Sequence, residues 1–331
     1  MKKKNFLTLL LIFSIVLLVP FLVQKQDVKG QENSITEYDY VITPEQPEWK
    51  NYTVPQLRKK LIIPQETLSK MTEKCLYETL MKYPFLCDFG AFATVPEGSD
   101  PVALEKFKEH CSVYQEIVRR GLTLSELSAS YANKIQTRSR NLVKDFNEDF
   151  VADIMETEKT LDSSLPMKVA TRVAYTTVKT PRGTNVSVLS NPDSRSASTR
   201  AAEGRQYANI YNVEYIGPSN TTYNCHSYAW YWSSQSNPYW MRNPSAYMSD
   251  GSYRKGSVYS TNQMISNSDI RNGQIIYYNS GDHSGVVTGI NVSPTNAVAN
   301  VTVTSKFGSL GLYRHTLGNC PYNTSSISNW R

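Results

Sequence analysis

The chain has 331 residues and a formal net charge of +6, and its lysines and arginines are scattered along the sequence. This length predicts one or two domains, and the scattered charge argues against a basic surface for nucleic acid. Charged residues crowd positions 59–205, whereas no glutamate follows Glu214. We therefore expect a charge-rich helical part followed by a β-rich part.

The first 30 residues have the pattern of an export signal. Lysines at positions 2–4 precede an apolar run over residues 6–23, as in a signal peptide. The run also reaches the length of about 18 residues that a membrane anchor needs. Cleavage between Val23 and Asn33, or retention as an N-terminal anchor, are both open. Either way we expect a secreted or cell-surface protein with possible N-terminal membrane association.

Residues 31–51 are polar and contain prolines, which predicts an extended spacer. A helical module is expected over residues 52–165. Thr72 can cap a first helix that carries Leu76, Leu80 and Met81 on one face and stops before Pro84. The second helix has Asp100 as its cap, Pro101 at its first position and Gly121 just past its end.

The second helix should bury a stripe of side chains: Leu104, Phe107, Cys111, Tyr114 and Val118. A third helix is marked by Leu142, Phe146, Phe150 and Ile154. We expect residues 166–205 to form a hairpin and a linker. The strands of this hairpin, one from Val169 and one through Val186 and Val188, flank a turn at residues 180–183, and residues 194–205 form a short helix or a linker.

We expect residues 206–331 to form a second domain of α+β class. A helix led by Cys225 precedes four short β-prone segments, at residues 274–278, 284–290, 298–303 and 311–315. An antiparallel sheet with the cysteine-bearing helix packed on it follows from this order.

Cys225 is the candidate nucleophile. It follows Asn224 at the start of the predicted helix, and helix N-termini lower a cysteine pKa from about 8.5 to roughly 3.5–7.5. His283 stands later in the chain, at the head of an apolar run, and cysteine hydrolases of the papain type have this order. Four other cysteines remain, and the sequence allows either two bridges among them or five reduced, buried thiols.

These residues resemble the motifs of the NlpC-type branch of papain-like cysteine hydrolases, which act on bacterial cell walls. Asn224-Cys225-His226-Ser227 is similar to its cysteine motif, Gly273-Gln274-Ile275-Ile276-Tyr277-Tyr278 to its first strand, and His283-Ser284-Gly285-Val286-Val287 to its histidine strand. Asn224 and Gln274 depart from it, since both positions usually hold Asp. The chain also resembles a family of exported Gram-positive bacterial proteins with an N-terminal helical module and no known substrate.

The resemblance implies Cys225 as nucleophile and His283 as general base. The group that fixes the imidazole is either Ser305, the positional match on the next strand, or His315. The backbone N–H of Cys225, with the Tyr223 hydroxyl or the His226 backbone, would hold the oxyanion. Tyr223, Trp230 and Trp240 are candidates for substrate contacts, and His226 for a supporting role.

The expected function is hydrolysis of amide bonds, with peptidoglycan peptides as substrate and no cofactor. A non-catalytic surface-binding module, or a cysteine-dependent acyl or peptidyl transferase, are the alternatives. A metal site from Cys225, His226, His283 and His315 is not expected, because their spacing matches no known ligand set. The oligomeric state stays open.

Overall fold

A computed structural model describes residues 34–135, 142–162, 173–265, 269–290 and 296–331. The predicted export segment, the first residues of the spacer and the predicted strand start at Val169 lie outside the described residues. Residues 35–331 form one compact unit. No helix in the described ranges is both long and apolar enough to cross a bilayer.

The part before residue 163 is helical. Its helices are α1 (Val54–Leu61), α2 (Gln65–Lys70), α3 (Glu73–Met81), α4 (Asp88–Ala91), α5 (Pro101–His110), α6 (Ser112–Arg119), α7 (Leu124–Ile135) and α8 (Leu142–Asp162), with 3-10 turns at Pro47–Asn51 and Pro84–Cys87. The Thr72 side chain caps α3 by accepting from the Cys75 N–H, as predicted. Asp100 caps α5 in the same way, through the Ala103 N–H.

The predicted second helix is wrong in one respect, because it breaks into α5 and α6 at Cys111. That residue has φ −107° and ψ 97°, outside the helical region. The break resets the helical phase, so Ile117 is fully buried while Val118 is 38% exposed. Gly121, with φ +68°, follows the end of α6 as expected.

The second part contains an antiparallel sheet, which confirms the α+β class. A separate hairpin pairs β1 (Ala174–Lys179) with β2 (Asn185–Ser190). The second part also contains the helices α9 (Ala197–Tyr211) and α10 (Ser245–Ser249). The remaining strands are β3 (Glu214–Gly217), β4 (Lys255–Tyr259), β5 (Met264–Ile265), β6 (Ile275–Tyr278), β7 (Ser284–Gly289), β8 (Asn296–Ala297), β9 (Thr302–Lys306), β10 (Leu312–Thr316) and β11 (Ile327–Trp330). Seven of them form one sheet in the order β3-β10-β9-β7-β6-β11-β4.

The two faces of this sheet pack against different parts of the chain. Val287, Val303 and Tyr313 lie in the core that the helices α1–α8 also build. Val286 and Leu312 instead contact the segment around Tyr223 and Tyr228. Side chains alternate between the two faces along a strand, so the segment that carries Cys225 covers one face and the helical part covers the other.

Candidate active site

Asn224 fixes the start of the helical turn that carries Cys225. Its Oδ1 accepts from the Ser227 N–H at 3.1 Å and from the Met241 N–H at 3.1 Å, and its Nδ2 donates to the Met241 carbonyl at 2.8 Å. The Asn224 N–H in turn donates to Ser227 Oγ at 3.2 Å. This reciprocal pair resembles a capping box, and it places Cys225 at the first position of the turn.

The turn continues as a π-helix over Ser227–Tyr231, in which the Trp232 N–H donates to the Ser227 carbonyl at 3.0 Å. π-Helical turns are wider than α-helical ones and often occur at functional sites. The predicted helix is therefore present, but it is short and irregular.

The Cys225 thiol lies beside the backbone of His283. Sγ is 4.0 Å from the Asp282 carbonyl oxygen, to which the thiol donates. The backbone N–H groups of Ser284 and His226 also hydrogen-bond the sulfur. Only 5% of Cys225 is exposed to solvent.

Burial dominates the ionisation of this thiol. It raises the pKa of Cys225 to about 12, although the N–H groups of Ser284 and His226 act in the opposite direction. The low pKa expected from the helix start is therefore absent in this closed arrangement. The resting group is a neutral thiol.

The side chains of His283, Ser305 and His315 form a hydrogen-bond chain. His283 Nε2 is 2.9 Å from Ser305 Oγ, and Ser305 Oγ is 2.8 Å from His315 Nε2. His315 Nδ1 is 2.9 Å from the Thr316 carbonyl oxygen. The two residues that the sequence offered as alternatives for orienting His283, Ser305 and His315, thus act in series.

The chain determines which nitrogens carry protons. A carbonyl oxygen only accepts, so His315 Nδ1 must donate to Thr316 and His315 Nε2 must accept from the Ser305 hydroxyl. Ser305 Oγ then accepts from His283 Nε2–H. His283 Nδ1 is left unprotonated, and it is buried without a hydrogen-bond partner.

Burial keeps both imidazoles of this chain neutral. It lowers the pKa of His283 well below 6.5, with His315 and His226 adding to the shift. It lowers the pKa of His315 to about 4. An unprotonated, uncharged Nδ1 is the form that can accept a proton from a thiol.

No hydrogen bond joins the Cys225 sulfur to the His283 ring. The side chains of His283 and Ser284 point in opposite directions, since the first contacts Ser305 and the second contacts His226 and Trp230. The structure therefore brings the thiol to the His283 backbone and leaves the ring on the face of the sheet that the helical part covers.

His226 supports the backbone around the thiol. Its Nδ1 is 2.9 Å from Ser284 Oγ, which also accepts from Trp230 Nε1–H at 2.9 Å. The ring bonds to the Gly281 backbone, while burial lowers the pKa of His226 to about 4. Both ring nitrogens are thus occupied, and His226 ties the helical turn to the loop before β7.

The aromatic residues expected to contact substrate are buried instead. Trp230 is 1% exposed and packs on Tyr247, Tyr253 and Trp330. Trp240 is fully buried and donates from Nε1 to the Thr94 carbonyl at 3.1 Å. These two are core residues and do not line an open groove.

Tyr223 is also fully buried. Its hydroxyl makes no hydrogen bond of normal geometry. Burial raises its pKa, and the Asn220 side chain opposes this shift. Tyr231 and Trp232, at the end of the turn that begins at Cys225, are exposed instead.

Two contacts of the site have no counterpart in the sequence reasoning. Ser284 joins His226 to Trp230, and Tyr322 stacks on His283 with ring centroids 3.6 Å apart. Ser284 was visible only as part of the histidine motif, and Tyr322 lies in irregular chain after Pro321. No local pattern marks either contact.

A cavity of about 280 Å³ is lined by acidic residues and Arg195, and neither Cys225 nor His283 lines it. Arg195 there contacts Asp193 and Glu203. All five cysteines are buried and unpaired, which is the second of the two arrangements considered from the sequence. Among the described residues, no group of three His, Cys, Asp or Glu side chains is placed to bind a metal ion.

Comparison with protein-family models, curated proteins and solved structures gives no match to this chain.

Proposed function

We propose that the protein is an exported cysteine hydrolase of the papain-like, NlpC type that cleaves amide bonds. The observation that supports this most is the chain from His315 through Ser305 to His283, which leaves a neutral, unpaired Nδ1 on the residue between Asp282 and Ser284, whose backbone groups contact the Cys225 thiol. A buried nitrogen without a partner costs free energy, and the proposed role as a proton acceptor accounts for it.

The thiol now contacts the Asp282 carbonyl, and the His283 ring contacts Ser305 on the other face of the sheet. The proposed reaction therefore begins with a rearrangement of the loop before β7 that brings His283 Nδ1 to the Cys225 sulfur. The S–H proton moves to Nδ1 as sulfur bonds the carbonyl carbon of the substrate. The Nδ1 proton then passes to the leaving amine as the C–N bond breaks. Water hydrolyses the thioester by the same route, giving its proton to Nδ1, which returns it to the departing sulfur.

Backbone N–H groups are the available stabilisers of the oxyanion. The N–H groups of Ser284 and His226 favour negative charge on the sulfur, and the backbone N–H of Cys225 is the proposed donor to the substrate oxygen. The Tyr223 hydroxyl, with burial raising its pKa, stays protonated and able to donate. Each such donor contributes about 2.7–4 kcal/mol to a barrier of this type.

The proposed substrate is the peptide portion of peptidoglycan. The lysine-led apolar N-terminus indicates export, and the resemblance of the cysteine and histidine motifs is to cell-wall hydrolases. The proposed location is accordingly the extracellular side, with the helical part as a component of the same compact unit.

The test is digestion of purified peptidoglycan, with products identified by mass spectrometry. We expect Cys225→Ala and His283→Ala to abolish release of peptide fragments while the circular dichroism spectrum stays unchanged. Cys75→Ala, which removes another buried cysteine in α3, is the matched control and should retain activity. Full activity of Cys225→Ala would exclude the mechanism.

A non-catalytic binding module is the second candidate, and the closed thiol favours it. With a pKa raised to about 12, Cys225 should react with iodoacetamide slowly at pH 7 and faster as the pH rises. If peptidoglycan fragments accelerate this alkylation at pH 7, substrate opens the site and the hydrolase is supported. If bound fragments leave the rate unchanged and remain intact, the binding module is the better description.

A further inference from the structure

We propose that Tyr322 is a positioning residue for His283, and that α1 and α4 of the helical part hold Tyr322 in place. The effect on catalysis rests on the proposed hydrolase function, whereas the effect on the imidazole itself does not. The helical part would then be a component of the catalytic apparatus and not only a means of attachment.

Tyr322 fixes the plane of the His283 ring. The two rings are nearly parallel, with centroids 3.6 Å apart and an interplanar angle of 11°. Tyr278 and Phe307 meet the imidazole edge-on, at 4.8 Å and 5.9 Å. A ring stacked on one face and bounded by two edges has little freedom to tilt.

Ser305 and Tyr322 impose different constraints on the same ring. The hydrogen bond to Ser305 at 2.9 Å selects the edge of the imidazole that faces it. That bond alone allows the ring to tilt, and the stack on Tyr322 does not distinguish one nitrogen from the other. Together they fix both the plane and the tautomer, so Nδ1 stays the free base.

Tyr322 is in turn held by the helical part. Its hydroxyl donates to the Ala91 carbonyl at 2.6 Å, at the end of α4, and Phe92 meets its ring edge-on at 5.4 Å. Arg58 of α1 donates to the Pro321 carbonyl at 2.6 Å and pairs with Asp88 of α4 at 2.7 Å. The side chain of Tyr322 and the backbone just before it are thus tied to helices that precede the sheet by more than 100 residues.

The surroundings suit a neutral ring pair. Burial raises the pKa of the Tyr322 hydroxyl well above 10, so no phenolate forms beside His283. Both partners stay uncharged over the range in which the base must act.

The experiment compares Tyr322→Leu with Tyr83→Leu. Tyr83 is the matched control, because it is also buried among aromatic rings and donates to a backbone carbonyl, that of His110 at 3.0 Å, but does not touch His283. The readouts are the imidazole ¹⁵N shifts of the full-length protein and its kcat and KM on peptidoglycan peptides.

We expect the wild-type His283 to show one tautomer, with Nε2 protonated and Nδ1 not. In Tyr322→Leu the ring can tilt away from Ser305, and without that hydrogen bond we expect averaging of both tautomers. The same variant should lower kcat on the order of 10–100-fold, as misplacement of a catalytic group does, with little change in KM. Tyr322→Phe keeps the stack and should keep the single tautomer. Tyr83→Leu should lower the stability of the protein and leave both the His283 tautomer and kcat unchanged.

A single unchanged tautomer in Tyr322→Leu, or an equal loss of kcat in Tyr83→Leu, would overturn the proposal. Phe92→Leu, which removes an edge contact from Tyr322 and leaves His283 untouched, should give the same tautomer averaging to a smaller degree and decides the question if Tyr322→Leu does not fold. If the wild type hydrolyses nothing, the proposed function fails, while the ¹⁵N shifts still test the positioning.

Discussion

The proposed pair of Cys225 and His283 would differ from a thiolate-imidazolium ion pair. Burial raises the pKa of the thiol and lowers that of the imidazole, so both partners are neutral at pH 7. In such a site, thiol deprotonation belongs to the reaction and is not completed beforehand. The base must therefore be held in the correct tautomer, and the hydroxyl of Ser305 is the group that selects it.

Replacing Ser305 by Ala should impair catalysis more than stability. The change leaves the Nε2 atoms of His283 and His315 without their shared partner, so Nδ1 of His283 no longer stays free of a proton. We expect kcat to fall on the order of 100-fold or more, in line with the loss of tautomer control in a catalytic triad. Steady-state kinetics on peptidoglycan peptides measure this.

The control for Ser305→Ala is Ser328→Ala. Ser328 is also a fully buried strand serine, and its Oγ donates to Asn279 Oδ1 at 3.0 Å and accepts from Trp330. The Ser328→Ala variant should be less stable than the wild type and should keep its kcat. Equal kcat for both variants would show that the hydrogen-bond chain has no catalytic part.

The order of cysteine and histidine, together with the resemblance to the NlpC-type motifs, was enough to name Cys225, His283, Ser305 and His315 as candidates. Sequence could not rank Ser305 against His315, because the β9–β10 register that places Val303 opposite His315 is a property of the folded sheet. It also could not foresee the raised thiol pKa, since desolvation depends on what covers the residue.

At the level of secondary structure, the contacts of Asn224 account for one departure from the NlpC-type motif that the sequence resembles. An Asp at this position could accept the N–H groups of Ser227 and Met241, but only an amide can also donate to the Met241 carbonyl. The Asn224 side chain thereby links the turn that carries Cys225 to the backbone of Met241.

Removing the Asn224 cap should lower the unfolding free energy more than removing an ordinary helix cap. Asn224→Ala leaves two N–H groups and one carbonyl unpaired in a buried place, and we expect a loss of about 3 kcal/mol in unfolding free energy. Thr72→Ala, at the cap of α3 with one accepted hydrogen bond, should lose about 1 kcal/mol. Urea denaturation monitored by tryptophan fluorescence gives both values.

Asn224→Asp separates the two functions of the side chain. The Asp side chain retains the acceptor and loses only the donor to Met241. We therefore expect it to lower the unfolding free energy by less than Asn224→Ala does. A loss for Asn224→Ala no greater than that for Thr72→Ala would show that the bonds to Met241 add nothing.

Helices with explicit caps were predictable, and so were the strands β6, β7 and β10, whereas β3, β4 and β11 were not. Thr72 and Asp100 mark their helices by a local hydrogen bond. The strands β3, β4 and β11 take their places through pairing partners elsewhere in the chain, and no local pattern predicted them. The predicted strand at 298–303 begins later, at Thr302, after a 3-10 turn at Val298–Asn300.

On the scale of the whole molecule, the helical part and the sheet share one core. The predicted boundary after residue 205 falls inside α9, whose Tyr211 donates to Asp88 of α4 at 2.8 Å. Trp49 likewise donates to the Ile210 carbonyl at 2.9 Å. Composition changes along this chain without a matching break in packing, because contacts between distant segments bury both parts together.

The shared core buries imidazoles that are charged in the unfolded chain at acid pH, and this predicts acid sensitivity. Burial lowers the folded-state pKa of both His226 and His315 to about 4, against about 6.5 when unfolded. The stabilisation is complete above pH 6.5 and is lost as the pH falls toward 4, because the unfolded chain binds more protons over that range.

Each of these histidines should contribute a loss of about 3 kcal/mol between pH 6.5 and 4. Carboxyls whose pKa burial raises, such as Glu158 and Asp282, act in the opposite direction, so the useful quantity is a difference between variants.

His315→Gln should reduce the slope of unfolding free energy against pH by the effect of about one proton, or roughly 1.4 kcal/mol per pH unit. Ser328→Ala removes no titrating group and should run parallel to the wild type. A His315→Gln curve equally parallel would mean that the pKa of His315 is the same in the folded and unfolded chain. Below about pH 6.5 its Nε2 would then donate to Ser305, and the tautomer assigned to His283 would reverse there.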